Sequence, residues 1–352
     1  MELLFIDGTK GFTPSRVTEK ASGGIITSLT AIPRFLASKG HKVYVKSVFD
    51  KSEIVDGVHY LSSKDECKNV DVVIFNRNVL NNSLVAQAKK LGAGLVWWLH
   101  DVVDHRYLVD DAFKQIPNIV SLSDYCTRTY SRYYGIGLER FTKIPNGVDK
   151  NIFFPTDYSK KIRGRFVYAS APIKGMKPLA FTIRNLRRHN PKAELHVYAS
   201  QKLHDIQDDA LVKFQLQALA DEEGVKIMPP IPQAEMGDVL RQAWGLLMPN
   251  SYPEICSNLL LQAVACGTPV VASPTGSIPE FLGNWINGLI TESTPNDLYF
   301  WWKEYAELAT KLIRNEFLHK ELCAQLLQVP SWEEIGGRWE RYLMDVVAKR
   351  GK

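Results

Sequence analysis

The chain has 352 residues, 45% hydrophobic and 23% charged. That balance is ordinary for a globular protein and argues against a disordered chain, and the length exceeds the roughly 250–300 residues that one core organises, so two domains are expected. The net charge is +5, with 20 Lys and Arg against 16 Asp and Glu in residues 1–150 and 23 against 22 in the rest; so mild an excess, with no basic run, argues against nucleic acid as a partner and permits anionic substrates or a membrane surface.

The opening MELLFIDGTK carries Glu2 and Asp7 where a secretion signal needs basic residues, and reads as a first strand. A polar loop leads to Gly23-Gly24 and a helix from Ile25 to Ser38, closed by Gly40, with Pro33 expected to kink it or lie near its start. KVYVKSV and DVVIFN read as strands, followed by a helix around Leu84 to Leu91. GLVWWLH is a buried strand ending in His100-Asp101, NIVSLS leads into a helix starting near Asp124, and FTKIPNGVD closes the half. The pattern then restarts with strand RFVYAS, helix Pro178 to Arg188, strand ELHVYAS and helix Asp208 to Glu222. VKIM and WGLLM flank a short helix, Ser257 to Cys266 is helical, TPVVAS is a strand, and the chain is helical from Pro295 onward apart from a break at Val329-Pro330.

Strands alternating with helices argue for parallel sheets covered on both faces. Two such series predict two doubly wound, Rossmann-like α/β domains, 1–150 and 151–330, joined near Asp149 to Lys161 and facing a central cleft. Ligands in such folds lie beyond the carboxyl ends of the strands. The five cysteines, Cys67, Cys126, Cys256, Cys266 and Cys323, are odd in number and lack a C-x-x-C pair. Free thiols in a reducing cytoplasm fit them, and zinc does not. No apolar run approaches the ~18 residues of a membrane span. The expectation is a cytoplasmic protein, with peripheral membrane contact through the basic N-terminal domain left open.

The most informative stretch is YPEICSNLLLQAVACGTPVVASPTGSIPEFL, Tyr252 to Leu282. Glu254 follows a strand, and Ser257 and Asn258 are N-cap candidates for the helix LLLQAVA. The backbone N–H groups at Ser257, Asn258 and Leu259 and the positive end of the helix dipole suit a pyrophosphate. Gln262 lies on the first turns of that helix. A loop carboxylate and a helix amide then grip different parts of one polar ligand. The plain structural alternative is a helix start in any α/β domain.

This stretch resembles the signature of glycosyltransferase family 4 (glycosyl transferases group 1), whose fold is called GT-B. Glu254, Ala263, Ala265, Gly267, Pro269, Val270, Val271, Ser273, Gly276 and Glu280 match that pattern. The resemblance implies a retaining transfer of a sugar from a nucleotide sugar, with a UDP- or GDP-sugar as donor. The implied acceptor is a saccharide, a lipid-linked saccharide or a protein-linked one. Glu254 would contact the donor-sugar hydroxyls. The second acidic position, for the ribose, is Gln262 here, whose amide can still accept and donate. The family's Arg and Lys clamp on the pyrophosphate becomes Ala169 and Lys174, with Ser170 as a neutral donor. Gly23 and Gly24 match a loop that lets backbone approach a phosphate or acceptor. His100 matches a His near the transferred sugar, with Asp101 as the alternative, and Asn146 to Asp149 reads as a turn between domains.

The implied mechanism is front-face attack, in which the departing phosphate takes the acceptor proton and Lys174 with the helix amides stabilises the developing charge. No cofactor or metal is called for, and Asp110-Asp111 and Asp208-Asp209 read as surface pairs. The resemblance implies a last helix that crosses back to the first domain; Ser331 to Val346 fits that role, with Trp332, Ile335, Trp339 and Tyr342 or Leu343 on one face. Two other readings stay open: a sugar-nucleotide epimerase on the same fold, and a non-catalytic sugar-nucleotide-binding protein. A dehydrogenase is disfavoured because no G-x-G-x-x-G follows the first strand.

Overall fold

The computed structural model of the protein describes residues 1–8, 13–16, 21–103, 111–199 and 209–350. In chain order the first half holds β1 (Glu2–Ile6), α1 (Gly24–Ser38), β2 (Lys42–Lys46), β3 (Glu53–Val55), β4 (Val58–Leu61), β5 (Val72–Asn76), α2 (Asn82–Lys90), β6 (Gly94–Trp98), β7 (Asn118–Ser121), α3 (Asp124–Tyr134) and β8 (Phe141–Lys143). The second half holds β9 (Arg165–Tyr168), α4 (Leu179–His189), β10 (Glu194–Val197), α5 (Ala210–Ala220), β11 (Val225–Ile227), α6 (Gln233–Gln242), β12 (Gly245–Met248), α7 (Asn258–Ala265), β13 (Val270–Ala272), α8 (Ile278–Phe281), β14 (Gly288–Ile290), α9 (Leu298–Arg314) and α10 (Glu316–Ala324), before the final α11 (Trp332–Ala348).

Two compact units result. The first takes in Met1–Val17, Gly23–Gly147 and Pro330–Lys352; the second takes in Thr18–Ser22 and Val148–Val329. The first unit's sheet runs β3-β4-β2-β1-β5-β6-β7-β8. All its pairs are parallel except β3 with β4, an antiparallel edge hairpin that the sequence reading did not contain. Asp56 and Gly57 turn that hairpin with φ of 50° and 78°. The last helix packs here on α1: a Cβ on Gly336 would run into the Phe35 ring. Its buried face is Trp332, Ile335, Gly336, Trp339, Leu343 and Val346, so Leu343 rather than Tyr342 continues the expected stripe inward. Trp339 sits 4.8 Å from Trp98 between ring centroids. Pro33 lies inside α1, which continues through it.

The second unit's sheet runs β11-β10-β9-β12-β13-β14, with every pair parallel. Its core joins Phe166, Tyr168, Leu195, Leu247, Val271 and Leu289 from the sheet to Leu179, Ile183 and Leu186 of α4 and Tyr305, Leu312 and Ile313 of α9. Between Pro295 and the expected break at Val329-Pro330 the helix is also interrupted at Asn315, whose side chain accepts from Leu318 N–H and so caps α10 as a new helix. Strand order reverses between β9 and β12, because the chain builds outward through β10 and β11 and then returns to the other side of β9. Such a reversal opens a crevice at the strands' carboxyl ends, where ligands of doubly wound folds bind.

Candidate active site

The loops after β9, β12 and β13 leave three adjacent strands at that reversal. Lys174 ends the short turn after β9, and Glu254 lies in the loop after β12. Lys174 Nζ is 2.8 Å from Glu254 Oε1. The same oxygen accepts from Asn250 Nδ2 at 2.8 Å. Among the described residues Glu254 Oε2 takes no hydrogen bond. Glu254 is 7% exposed and Asn250 0%, so the carboxylate is held from within, while the Lys174 side chain keeps 33% exposure. An ammonium has three donors; one serves Glu254 and two are left for an anion.

Close backbone approach makes this arrangement. Ser251 N–H donates to the Lys174 carbonyl at 2.7 Å, joining the two loops. Gly175 lies so close that a Cβ there would run into the Pro249 carbonyl oxygen. Gly276, after β13, has φ of 63° and pairs as a parallel bridge with Glu254, and a Cβ there would meet the Glu254 backbone. Ser277 N–H completes the join to the Glu254 carbonyl at 2.8 Å. Three loops are thus stitched at one carboxylate.

Helix α7 begins beside this cluster in sequence. Ser257 is its N-cap and accepts from Leu260 N–H at 3.4 Å, while Asn258 is its first helical residue rather than a cap. The first-turn amides, including Leu259, have no intrahelical acceptor. Gln262 is buried one turn on. Ser170 and Ala169 are both half-buried in the loop after β9. Lys174, Glu254, Ser170, Ser257, Asn258, Leu259 and Gln262 therefore all belong to the second unit.

His100, Gly23 and Gly24 belong to the first unit. His100 follows β6 with its ring 4.3 Å from that of Trp98 in an edge arrangement. Its Nε2 is buried without a hydrogen-bond partner among the described residues. Burial, helped by the Arg77 charge, pushes the His100 pKa down to about 3, so the imidazole is neutral at physiological pH. Asp101 is engaged by Arg77 Nε at 2.9 Å. Gly23 caps α1, and its carbonyl accepts from Thr27 N–H at 3.1 Å. Asn146 accepts from Ser28 Oγ at 3.2 Å, and Gly147 touches the Ser331 backbone, so that turn has a structural job.

Asn250 is the residue the sequence reading missed. A strand-end Asn before Ser and Pro reads as a turn former, and nothing local marks its partner. Of the acidic pairs, Asp110 and Asp208 lie outside the described residues. Asp111 is exposed and pairs with Lys114 at 2.7 Å, while Asp209 caps α5, which starts at Ala210. No group of three metal-ligating side chains is present among the described residues. Among those residues no helix is long and apolar enough to cross a membrane.

Residues 162–309 match the family model of the glycosyl transferases group 1. Across the whole chain, sucrose-phosphate synthase from Thermosynechococcus elongatus superposes with a TM-score of 0.77 at 14% identity, covering 99% of both chains. HepE from Anabaena, solved with UDP and glucose, gives 0.73 at 16% identity, covering 98% of this chain and 100% of that one. The chain has the GT-B glycosyltransferase fold. Among curated proteins it is similar to D-inositol 3-phosphate glycosyltransferase of Paenarthrobacter aurescens (strain TC1), 27% identical over 199 residues, 53% of this chain and 46% of that protein. It is also similar to an MMP alpha-(1->4)-mannosyltransferase of Mycolicibacterium hassiacum, 25% identical over 194 residues, 53% of this chain and 45% of that protein. The chain thus matches less than half the length of these relatives.

Proposed function

We propose that this GT-B chain is a retaining glycosyltransferase that moves a sugar from a UDP- or GDP-sugar to a hydroxyl of a saccharide or lipid-linked saccharide. The observation that carries the reading is the buried Glu254 carboxylate, with Oε1 held by Lys174 and Asn250 at the β9–β12 reversal. Oε2 is then available to accept from a donor-sugar hydroxyl. The two remaining Lys174 N–H groups and the first-turn amides of α7 suit the diphosphate. The match to group 1 glycosyl transferases over the same unit, and the fold shared with a UDP-binding protein, support the same donor class.

In the proposed reaction the bond between the anomeric carbon and the diphosphate oxygen breaks. The acceptor oxygen bonds to the anomeric carbon on the same face, and the acceptor proton passes to the departing phosphate. Charge grows on the diphosphate, so cations and amides already aimed at it favour the transition state over the ground state. The reading needs no divalent metal.

One experiment tests both features. Proton NMR of the product formed in excess EDTA is expected to show the anomeric configuration of the donor. An inverted product, or turnover that EDTA abolishes and magnesium restores, contradicts the mechanism.

A further inference from the structure

The structure assigns Asn250 as the positioning residue that holds the Glu254 carboxylate in place while Lys174 engages a diphosphate; this rests on the donor reading above. Lys174 and Asn250 meet the same oxygen at the same distance, 2.8 Å, but they differ in what a ligand does to them. Lys174 carries its charge on a flexible stem, with a third of its side chain exposed. A diphosphate brings negative charge and competes with Glu254 for it. Asn250 carries no charge, so the diphosphate does not draw it away, and its burial leaves it no room to swing.

The backbone fixes the amide before any ligand arrives. Asn250 N–H donates to the Met248 carbonyl at 2.8 Å, which folds the chain tightly at the end of β12. The next residue, Ser251, ties the same turn to the Lys174 carbonyl through its N–H at 2.7 Å and its Oγ at 3.4 Å. One turn therefore sets the Lys174 backbone and the Glu254 head group together. With Oε1 fixed from inside, the carboxylate plane is fixed, and so is the direction in which Oε2 meets a sugar hydroxyl. The orientation of the amide is unambiguous in this setting, since a flipped Asn250 would set its own oxygen against the carboxylate.

A positioning role makes a different demand from a structural one. It matters for the sugar and not for the diphosphate. The test measures calorimetric binding of UDP, UDP-glucose, GDP and GDP-mannose, together with donor turnover, for wild type, Asn250→Ala and Asn250→Asp, with the thermal midpoint recorded for each. Asn250→Ala is expected to bind the free diphosphate within about threefold of wild type and to lose about tenfold or more in kcat/KM, the scale of one hydrogen bond to a charged group. Asn250→Asp places a second carboxyl against Glu254. Protonated, it donates as the amide does; ionised, it repels. Its kcat/KM is expected to fall with rising pH where that of wild type does not.

Wild-type kcat/KM in Asn250→Ala, an equal loss of diphosphate and sugar nucleotide, or a pH profile of Asn250→Asp that follows wild type each overturns the assignment. A wild type that binds diphosphate but neither binds nor turns over any sugar nucleotide overturns the donor reading, and this assignment with it.

Discussion

Lys174 carries two charges' worth of work in one side chain. The position five residues earlier is Ala169, and in the proposed donor site Lys174 is the cation of this loop that meets the diphosphate, while in the structure it pairs with the buried Glu254. Lys174→Ala removes both, leaving the carboxylate with Asn250 alone. Calorimetry is expected to show nucleoside diphosphate binding weakened by about tenfold or more, the worth of one charge-assisted contact. Unchanged affinity would place the phosphate site elsewhere. A second residue-scale expectation concerns His319, fully buried and stacked on Trp244 at 3.6 Å with an interplanar angle of 3°. Its Nε2 meets the Trp244 carbonyl at 2.6 Å and its Nδ1 the Tyr158 hydroxyl at 3.0 Å. Burial outweighs the Trp244 carbonyl and pushes its pKa down to about 4. The unfolded chain, with a His pKa of about 6.5, therefore binds a proton that the native state refuses between those values. Stability is present above about pH 6.5 and is lost as pH falls toward 4. His319→Gln is expected to flatten part of that loss, read as thermal midpoints between pH 7 and 4.5. An identical slope in the variant would contradict the assignment.

Elements were legible where their signals were strong. β5 and β6 are runs of buried, mostly β-branched or aromatic residues, and α3 is announced by Ser123, whose side chain accepts from Cys126 N–H. β3 and β14, each three residues long, are too short to display a period of two, and β14 opens on glycine. Their pairing comes from the sheet, not from propensity. The start of α11 shows how local chemistry fixes an element that sequence pattern only outlines. Glu334 N–H donates to Ser331 Oγ at 3.1 Å and Ser331 N–H to Glu334 Oε2 at 2.6 Å, a reciprocal cap. This cap sits against Gly147, where the chain leaves the first unit. Ser331→Ala is expected to cost about 0.5–2 kcal/mol in chemical denaturation, against near-neutral substitutions at exposed positions of the same helix. No measurable loss would mean that packing of Trp332 and Ile335 alone sets the helix start.

At the scale of the whole molecule, the alternation of strands and helices made two doubly wound units readable, and the motif around Glu254 pointed to the loops that form the second unit's candidate site. The family resemblance named Lys174 as well, but its pairing with Glu254 and the part of Asn250 were not legible, because they depend on contacts between loops far apart in sequence. Lys174 meets Glu254 across 80 positions, and the glycines that permit this, Gly175 and Gly276, lie in different loops. The return of α11 to the first unit was expected from the family resemblance, with the apolar stripe marking the helix that fits, whereas the Asn315 break and the β3–β4 hairpin were set by a cap and by sheet pairing. The central claim is that Glu254 at the β9–β12 reversal serves transfer from a nucleotide sugar. The direct measurement is release of nucleoside diphosphate from a panel of UDP- and GDP-sugars by wild type and by a folded Glu254→Ala variant. Wild type is expected to turn over at least one donor, and the variant to be slower by about 10²-fold or more, the scale of losing a contact made to the reacting sugar. Equal turnover by the two proteins, or none by wild type with any donor, would contradict the account.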